Sequence, residues 1–410
     1  MIDELGVMRA PRAILFGNGQ RRSVGRVARR LGTRALLCTD ARFAADAEMA
    51  VLRGALDEQG VAVRVFDGTE AELPLANILA CLLVARPFAP DMIIGVGGGS
   101  CLDLAKIVSL MLTYDGPADS FYGENRVPGP VLPVIAIPTT AGTGSEVTPV
   151  AVLGDSSREL KVGISSPYLI PDTAICDPEL TMSCPPGLTA VAGADAMTHA
   201  IESFTAIRRE ATPGLALDRV FVGKNRMSDS YAISAMTALR TYLPRAVADG
   251  ADREARTAVM YAAMLAGLAF GSAGTAAAHA IQYPVGALTH TPHGLGVAVL
   301  MPYVMAFNRP ACTAEYAAVG RAMGVAGDDP ETLADAAVRA VSDLLETIRI
   351  PRTLADLGLK SEQLEWVAQQ SLLASRLVTN NPRPLDLTGA TTIVNAAFHG
   401  DRSWAGPSPA

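Results

Sequence analysis

Hydrophobic and polar positions follow two different rhythms along the chain. In the first part, RALLCTD (34–40), VAVRVFD (61–67), DMIIGVGG (91–98) and VLPVIAIPTT (131–140) are short apolar runs bounded by turn-forming residues, and each predicts a β-strand. Between the second and third, LANILACLLVAR (75–86) places its apolar residues at helical spacing and predicts an amphipathic helix. Strands alternating with helices predict an α/β fold with a parallel sheet. At SCPPGLTAVAG, two prolines and a glycine interrupt the chain; beyond them strand signals almost vanish and Ala- and Leu-rich helical patterns run on. The pattern therefore predicts an α/β domain over residues 1–183 and an all-helical domain over 184–410. Ligands of such architectures bind at the carboxyl ends of parallel strands and between domains, so both parts are expected to contribute to a site.

One helical segment breaks its own pattern. VAGADAMTHAIESF (191–204) is small and apolar except for Asp195, His199 and Glu202, whose spacings of four and three residues put them on one helical face. A second segment, Thr257 to Asn308, contains no Asp, Glu, Lys or Arg. Its Ala and Gly content, with Ser272, Thr275, His279, Gln282 and Pro284, predicts a buried helix pair around a site and not a membrane span.

Composition narrows the field. Of 410 residues, 50% are hydrophobic, enough for large cores, and no internal repeat is present. A net charge of −7 argues against a nucleic-acid or anionic-membrane partner. Cys38, Cys81, Cys101, Cys176, Cys184 and Cys312 are scattered without a C-x-x-C pair, which predicts reduced thiols and a cytoplasmic protein. Asp3 and Glu4 stand where a signal peptide carries positive charge, so no export is expected.

Two turns suit a dinucleotide. IIGVGGGSCLDLAK (93–106) leads from a strand through Gly97, Gly98 and Gly99 into a helix expected to open at Ser100 with Asp103 as capping-box partner, and amides at such a helix start suit a pyrophosphate. Glycines there also serve a plain tight turn, and the match to the Rossmann pattern is partial, in the third of the predicted strands. The second turn, IPTTAGTGSEVTP (137–149), offers Thr139, Thr140, Thr143 and Ser145 for phosphate and ribose oxygens. Asp40, ending the first predicted strand, suits the ribose hydroxyls of NAD and repels the extra phosphate of NADP.

Four of the five histidines, His199, His279, His290 and His293, lie in the two apolar segments. Asp195 and His199 with His279 and either His290 or His293 make a carboxylate and three imidazoles, a donor set for Fe²⁺ or Zn²⁺ with a position left for a substrate oxygen. Glu202 reads either as an orienting partner for an imidazole or as a helix-surface carboxylate.

GGGSCLDLAK, PTTAGTGSEVTP, LIPDTAICDPEL, GADAMTHAIES and PHGLGVAVLMPY, in that order along nearly the whole chain, resemble the successive motifs of the iron-containing (group III, metal-dependent) alcohol dehydrogenase family. The resemblance implies a dehydroquinate synthase-like fold and the reversible oxidation of an alcohol to an aldehyde or ketone with NAD and Fe²⁺, or Zn²⁺ or another divalent ion. It implies the metal ligands Asp195, His199, His279 and His293, the last being the His before Gly in PHG. It also implies a cofactor site around Asp40, Gly97, Gly98, Gly99, Ser100, Asp103, Thr139, Thr140, Ser145 and Lys161. A small-molecule alcohol or aldehyde is the expected partner, and a homo-oligomer, a dimer, the expected assembly.

Two departures bear on the substrate. Many members carry a second His four residues after the third ligand, where this chain has Tyr283; a phenol can relay a proton, but its ordinary pKa of about 10 makes it a weak base at neutral pH. Tyr there also resembles the hydroxyacid-oxoacid transhydrogenase branch, so a hydroxy acid dehydrogenase or transhydrogenase acting on an anion such as 4-hydroxybutyrate is the alternative. FTAIRREATPGLALDRVFVGKNR (204–226) is longer than the family pattern, and its excess of Arg and Lys is either a solvated surface insertion or a grip on an anionic substrate. A lyase resembling dehydroquinate synthase is opposed by PTTAGTGSE, and a nucleotide-binding regulatory module would leave four ligands idle.

Overall fold

The computed structural model describes residues 5–155 and 161–401. The chain divides into two compact units: Arg9–Ser183 with a short return at Ala216–Val220, and a second made of residues 5–8, Cys184–Leu215 and 221–401. Residues 402–410, and residues 1–4, which carry the signal-peptide argument, lie outside the described residues.

Among the described residues, the first unit is built on nine strands: β1 (Ala13–Phe16), β2 (Arg34–Cys38), β3 (Ala62–Phe66), β4 (Met92–Gly97), β5 (Gly123–Glu124), β6 (Val134–Pro138), β7 (Val150–Leu153), β8 (Val162–Ser165) and β9 (Thr173–Cys176). Six form one sheet in the order β1-β9-β6-β4-β2-β3, every pairing parallel. The other three make a small sheet, β5-β8-β7. The sheet is covered on both faces, which is why its central strands are apolar throughout instead of alternating. Leu36 and Ile93 belong to one buried cluster with Leu104, Ile107 and Val108 of the helix Gly99–Thr113, whereas Leu37, Ile94 and Val96 point into another with Val24, Leu52 and Leu56. Because the N-terminal AILF run forms β1, the glycine turn follows the fourth strand of the chain and not the third.

The second unit is helical, and among the described residues no strand follows Cys176. Pro186 occupies the first turn of the helix Pro186–Thr205, where its missing N–H costs nothing. That helix packs against Arg226–Ala248 and Arg253–Ala273. The uncharged stretch becomes the helices Arg253–Ala273, Ala277–Thr289 and His293–Asn308. Among the described residues no single helix is long and apolar enough to cross a membrane; the first two of these would pass only together, and they meet at 103°. The bend sits at Gly274, φ +83°, and Asn380 Nδ2 holds it by donating to Ala273 O at 3.0 Å and Thr275 O at 3.2 Å.

Candidate functional site

Two groups of side chains carry chemistry, one in each unit. In the first unit the glycine turn leaves β4 at Gly97, whose φ of +144° and closeness to Cys101 (2.5 Å from an added Cβ to Sγ) exclude a side chain. The helix that follows is capped by Gly98, without a side-chain cap. The capping box expected of Ser100 and Asp103 is thus not formed, because the cap lies two residues earlier, at Gly98, and Asp103 faces the second turn. Asp103 Oδ1 accepts from Ser145 Oγ at 2.6 Å and Oδ2 from Val152 N at 2.9 Å. One turn further, the fully buried Lys106 donates to Thr148 O at 2.9 Å and Val150 O at 2.8 Å. Burial brings its pKa down to about 8 and raises that of neighbouring Glu146 to about 7.

The two turns therefore touch. A Cβ on Gly99 would lie 2.8 Å from Thr143 Cγ2, and one on Gly98 would lie 3.6 Å from Thr140 Oγ1. Thr139 is buried beside them at the end of β6. With a glycine as cap, the first amides of the helix have no side chain competing for them, the arrangement that favours an anion. Asp40 follows β2, the strand next to β4; its Oδ1 accepts the Phe43 amide at 2.8 Å and caps a short helix, and its Oδ2 is 3.9 Å from Cys101 Sγ. Lys161 is engaged at the surface, with Nζ 2.9 Å from Glu72 Oε1.

In the helical unit, Asp195, His199 and Glu202 are all buried along one face of Pro186–Thr205. Asp195 Oδ1 is 3.7 Å from His199 Nε2 and 3.9 Å from His279 Nε2. One ligand atom from each of these three residues lies within 4.8 Å of the others. The rings of His199 and His279 stack at 4.9 Å, and Phe270 stacks on His199 at 4.3 Å. His293 opens the next helix with its ring 5.2 Å from that of His279, and the Tyr283 ring is 6.3 Å from His293. His290 ends the helix Ala277–Thr289 in the left-handed conformation, φ +53°, and is exposed.

Glycine makes this approach possible. A Cβ on Gly294, the residue after His293, would sit 2.9 Å from Val191 O and 3.1 Å from Asp195 Cβ. Glu202 Oε2 lies 2.6 Å from His279 Nδ1 and accepts Ala276 N at 2.9 Å, while Oε1 accepts Ala278 N at 2.7 Å. Burial pushes this carboxyl up, but His279 and the two amides outweigh it, and the pKa falls below the ordinary value.

The chemistry of this donor set fits a divalent cation. Asp195 Oδ1 and His279 Nε2 are buried without a hydrogen-bond partner, a costly state for a core and an ordinary one for ligand atoms. Phe270, Gly294 and Asn380 support the cluster and escaped the sequence reading; only the glycine beside a candidate ligand could have signalled its part.

The basic segment after the metal-type helix is largely engaged by the protein. Lys224 is buried, donating to Phe204 O at 2.6 Å and Asp229 Oδ1 at 2.7 Å, and Arg208 is 3.5 Å from Glu315. Further along, Arg9 donates to the carbonyls of Ala216, Arg219 and Val220.

A parallel α/β unit with a glycine turn, joined in one chain to a helical unit with a buried carboxylate and imidazoles, defines a two-part dinucleotide and metal type of architecture. Residues 11–178 match the sequence profile of iron-containing alcohol dehydrogenase, and residues 189–398 that of the Fe-containing alcohol dehydrogenase family, C-terminal. The chain is 36% identical to the sulfoacetaldehyde reductase of Bilophila wadsworthia, over 90% of this chain and 92% of that protein. It is 34% identical to the NAD-dependent methanol dehydrogenase of Bacillus methanolicus, over 95% and 98%. The crystal structure of a 1,3-propanediol oxidoreductase superposes with a TM-score of 0.89 at 32% identity, covering 96% of this chain and all of that one. The chain belongs to the iron-containing alcohol dehydrogenase family, whose members are oxidoreductases acting on CH–OH groups.

Proposed function

We propose that this chain is an NAD-dependent, divalent-metal-dependent alcohol dehydrogenase that interconverts a small alcohol and its aldehyde or ketone by hydride transfer. The observation that carries the reading is the pair of buried, partnerless atoms Asp195 Oδ1 and His279 Nε2 beside His199 and His293. A cation bound there, Fe²⁺ or Zn²⁺, would supply Lewis acidity toward the carbinol oxygen, and the nicotinamide would supply the hydride acceptor.

The chain's own residues do the rest. Asp195, His199, His279 and His293 would hold the ion by one carboxylate and three neutral imidazoles, a donor set of net charge −1. Phe270, stacked on His199, fixes that ring. The amides after Gly98 would take the pyrophosphate, the hydroxyls of Thr139 and Thr140 neighbouring oxygens, and the remaining lone pairs of Asp40 the ribose diol. Ser145 and Asp103 serve each other, so their part at the cofactor is first to brace the second turn. Tyr283, near His293, is the protein hydroxyl suited to pass the alcohol proton outward.

The test is NADH absorbance with Fe²⁺- and Zn²⁺-reconstituted protein across short alcohols, diols and hydroxy acids, with sulfoacetaldehyde in the reductive direction because a relative bears that name. Sustained, metal-dependent NADH formation from an alcohol is expected. A chain that consumes no NAD in steady state under any of these conditions is not a dehydrogenase.

A further inference from the structure

The carboxylate of Glu202 meets three donors of one short segment: Ala276 N and His279 Nδ1 at Oε2, and Ala278 N at Oε1. Two of these are backbone amides at the start of the helix Ala277–Thr289, whose own cap residue, Ala276, has no side chain to offer. Glu202 therefore caps that helix from another helix, Pro186–Thr205, and does so at 1% exposure, where water cannot substitute. As a carboxylate, Glu202 is an acceptor-only group that meets all three. Two amides donate to it, and beside the ionised carboxylate the ring completes the arrangement by donating from Nδ1. The neutral imidazole then keeps its lone pair on Nε2, the atom 3.9 Å from Asp195 Oδ1.

We propose that Glu202 is a positioning residue that fixes His279 as the Nδ1–H tautomer and sets its ring, through the cap on the same helix, before any metal arrives. The inference deepens the proposed metal site and rests on that reading for its purpose, but its central observable belongs to the metal-free protein. One carboxylate sets both the backbone that carries the ligand and the protonation state that makes it a ligand. The ring does not choose its tautomer when the ion binds.

The first experiment uses the wild-type protein freed of metal and labelled with ¹⁵N-histidine. The His279 signals, assigned by comparison with the H279Q protein, should show a protonated Nδ1 and a bare Nε2. A bare Nδ1 in the folded metal-free protein would overturn the proposal even if metal binding is normal. The second uses Glu202→Gln, nearly the same in shape. Whichever way its amide lies, its NH₂ faces either the Ala278 N–H or the shared site of Ala276 and His279. The Zn²⁺ dissociation constant, measured by competition with a chelator, should rise 10- to 100-fold. Hydrogen exchange should accelerate at the amides of residues 276 and 278, and the NADH dissociation constant should stay within about twofold as the check on folding. Unchanged Zn²⁺ affinity in a folded Glu202→Gln protein would reduce Glu202 to a helix cap. Wild-type protein that binds no Zn²⁺ would remove the metal reading and leave the tautomer measurement standing.

Discussion

Asp40 Oδ1 is committed to the Phe43 amide, so only part of this carboxylate is left for a ribose. The two roles can be separated by the choice of substitution. Alanine would remove the cap and cost about 1 kcal/mol of local stability, whereas glycine at an N-cap loses only a few tenths. Asp40→Gly is therefore the variant that tests charge. If Oδ2 is the group that discriminates against the 2′-phosphate, the kcat/KM ratio for NAD over NADP should fall by about tenfold or more, equivalent to about 1.4 kcal/mol. Measuring both cofactors at fixed alcohol decides it, and a wild-type enzyme that prefers NADP would show that Asp40 is a cap and nothing more. Lys161, which the family motif assigns to the same cofactor, has its ammonium on Glu72 in this structure. A long flexible side chain at the surface takes the nearest carboxylate, and no sequence pattern records that partner.

At the scale of elements, the imidazoles converge because helices approach closely at small residues. Gly294→Ala would put a methyl 2.9 Å from Val191 O, a backbone atom that cannot yield cheaply. The helix His293–Asn308 must then move away from the Asp195 helix and take His293 with it. The expected cost is about 1–3 kcal/mol of stability, with weaker Zn²⁺ binding, read from thermal melts and chelator competition. An unchanged Zn²⁺ affinity would mean that His293 does not depend on this contact. The helical face of Asp195, His199 and Glu202 and four of the six strands of the parallel sheet were legible because periodicity reports burial directly. The strands β1 and β9 were not, since AILF and TAIC are four residues long and their apolar character is satisfied by neighbours distant in sequence. The true cap at Gly98 was hidden for a related reason: Ser100 and Asp103 have the spacing of a capping box, but a buried partner across the loop, Ser145, competes for the carboxylate. The stretch from Thr257 to Asn308 was legible as buried helices, though as a pair where there are three, and its bend was not legible, because that depends on Asn380, more than a hundred residues away.

For the molecule as a whole, the two functional groups draw on different parts of the chain. The candidate metal ligands all belong to the helical unit, and Asp40, the glycine turn and the threonine turn to the α/β unit. Each unit encloses its own core, so damage to one set of groups should not spread through packing to the other. His279→Ala is the sharpest case. It removes an imidazole from a cluster whose remaining atoms lie on other helices, and it leaves Glu202 with both backbone amides. The protein should fold, bind NADH within about twofold of the wild-type affinity, and retain little metal. Turnover should fall by about a thousandfold or more, since Lewis-acid assistance contributes several kcal/mol and each 1.36 kcal/mol is a factor of ten. Metal analysis, NADH fluorescence titration and steady-state rates on the same preparation separate the outcomes. Loss of metal and activity with NADH binding intact supports the division of labour. Full metal content would remove His279 from the ligand set, and collapse of NADH affinity would show that the cofactor groups depend on the helical unit after all.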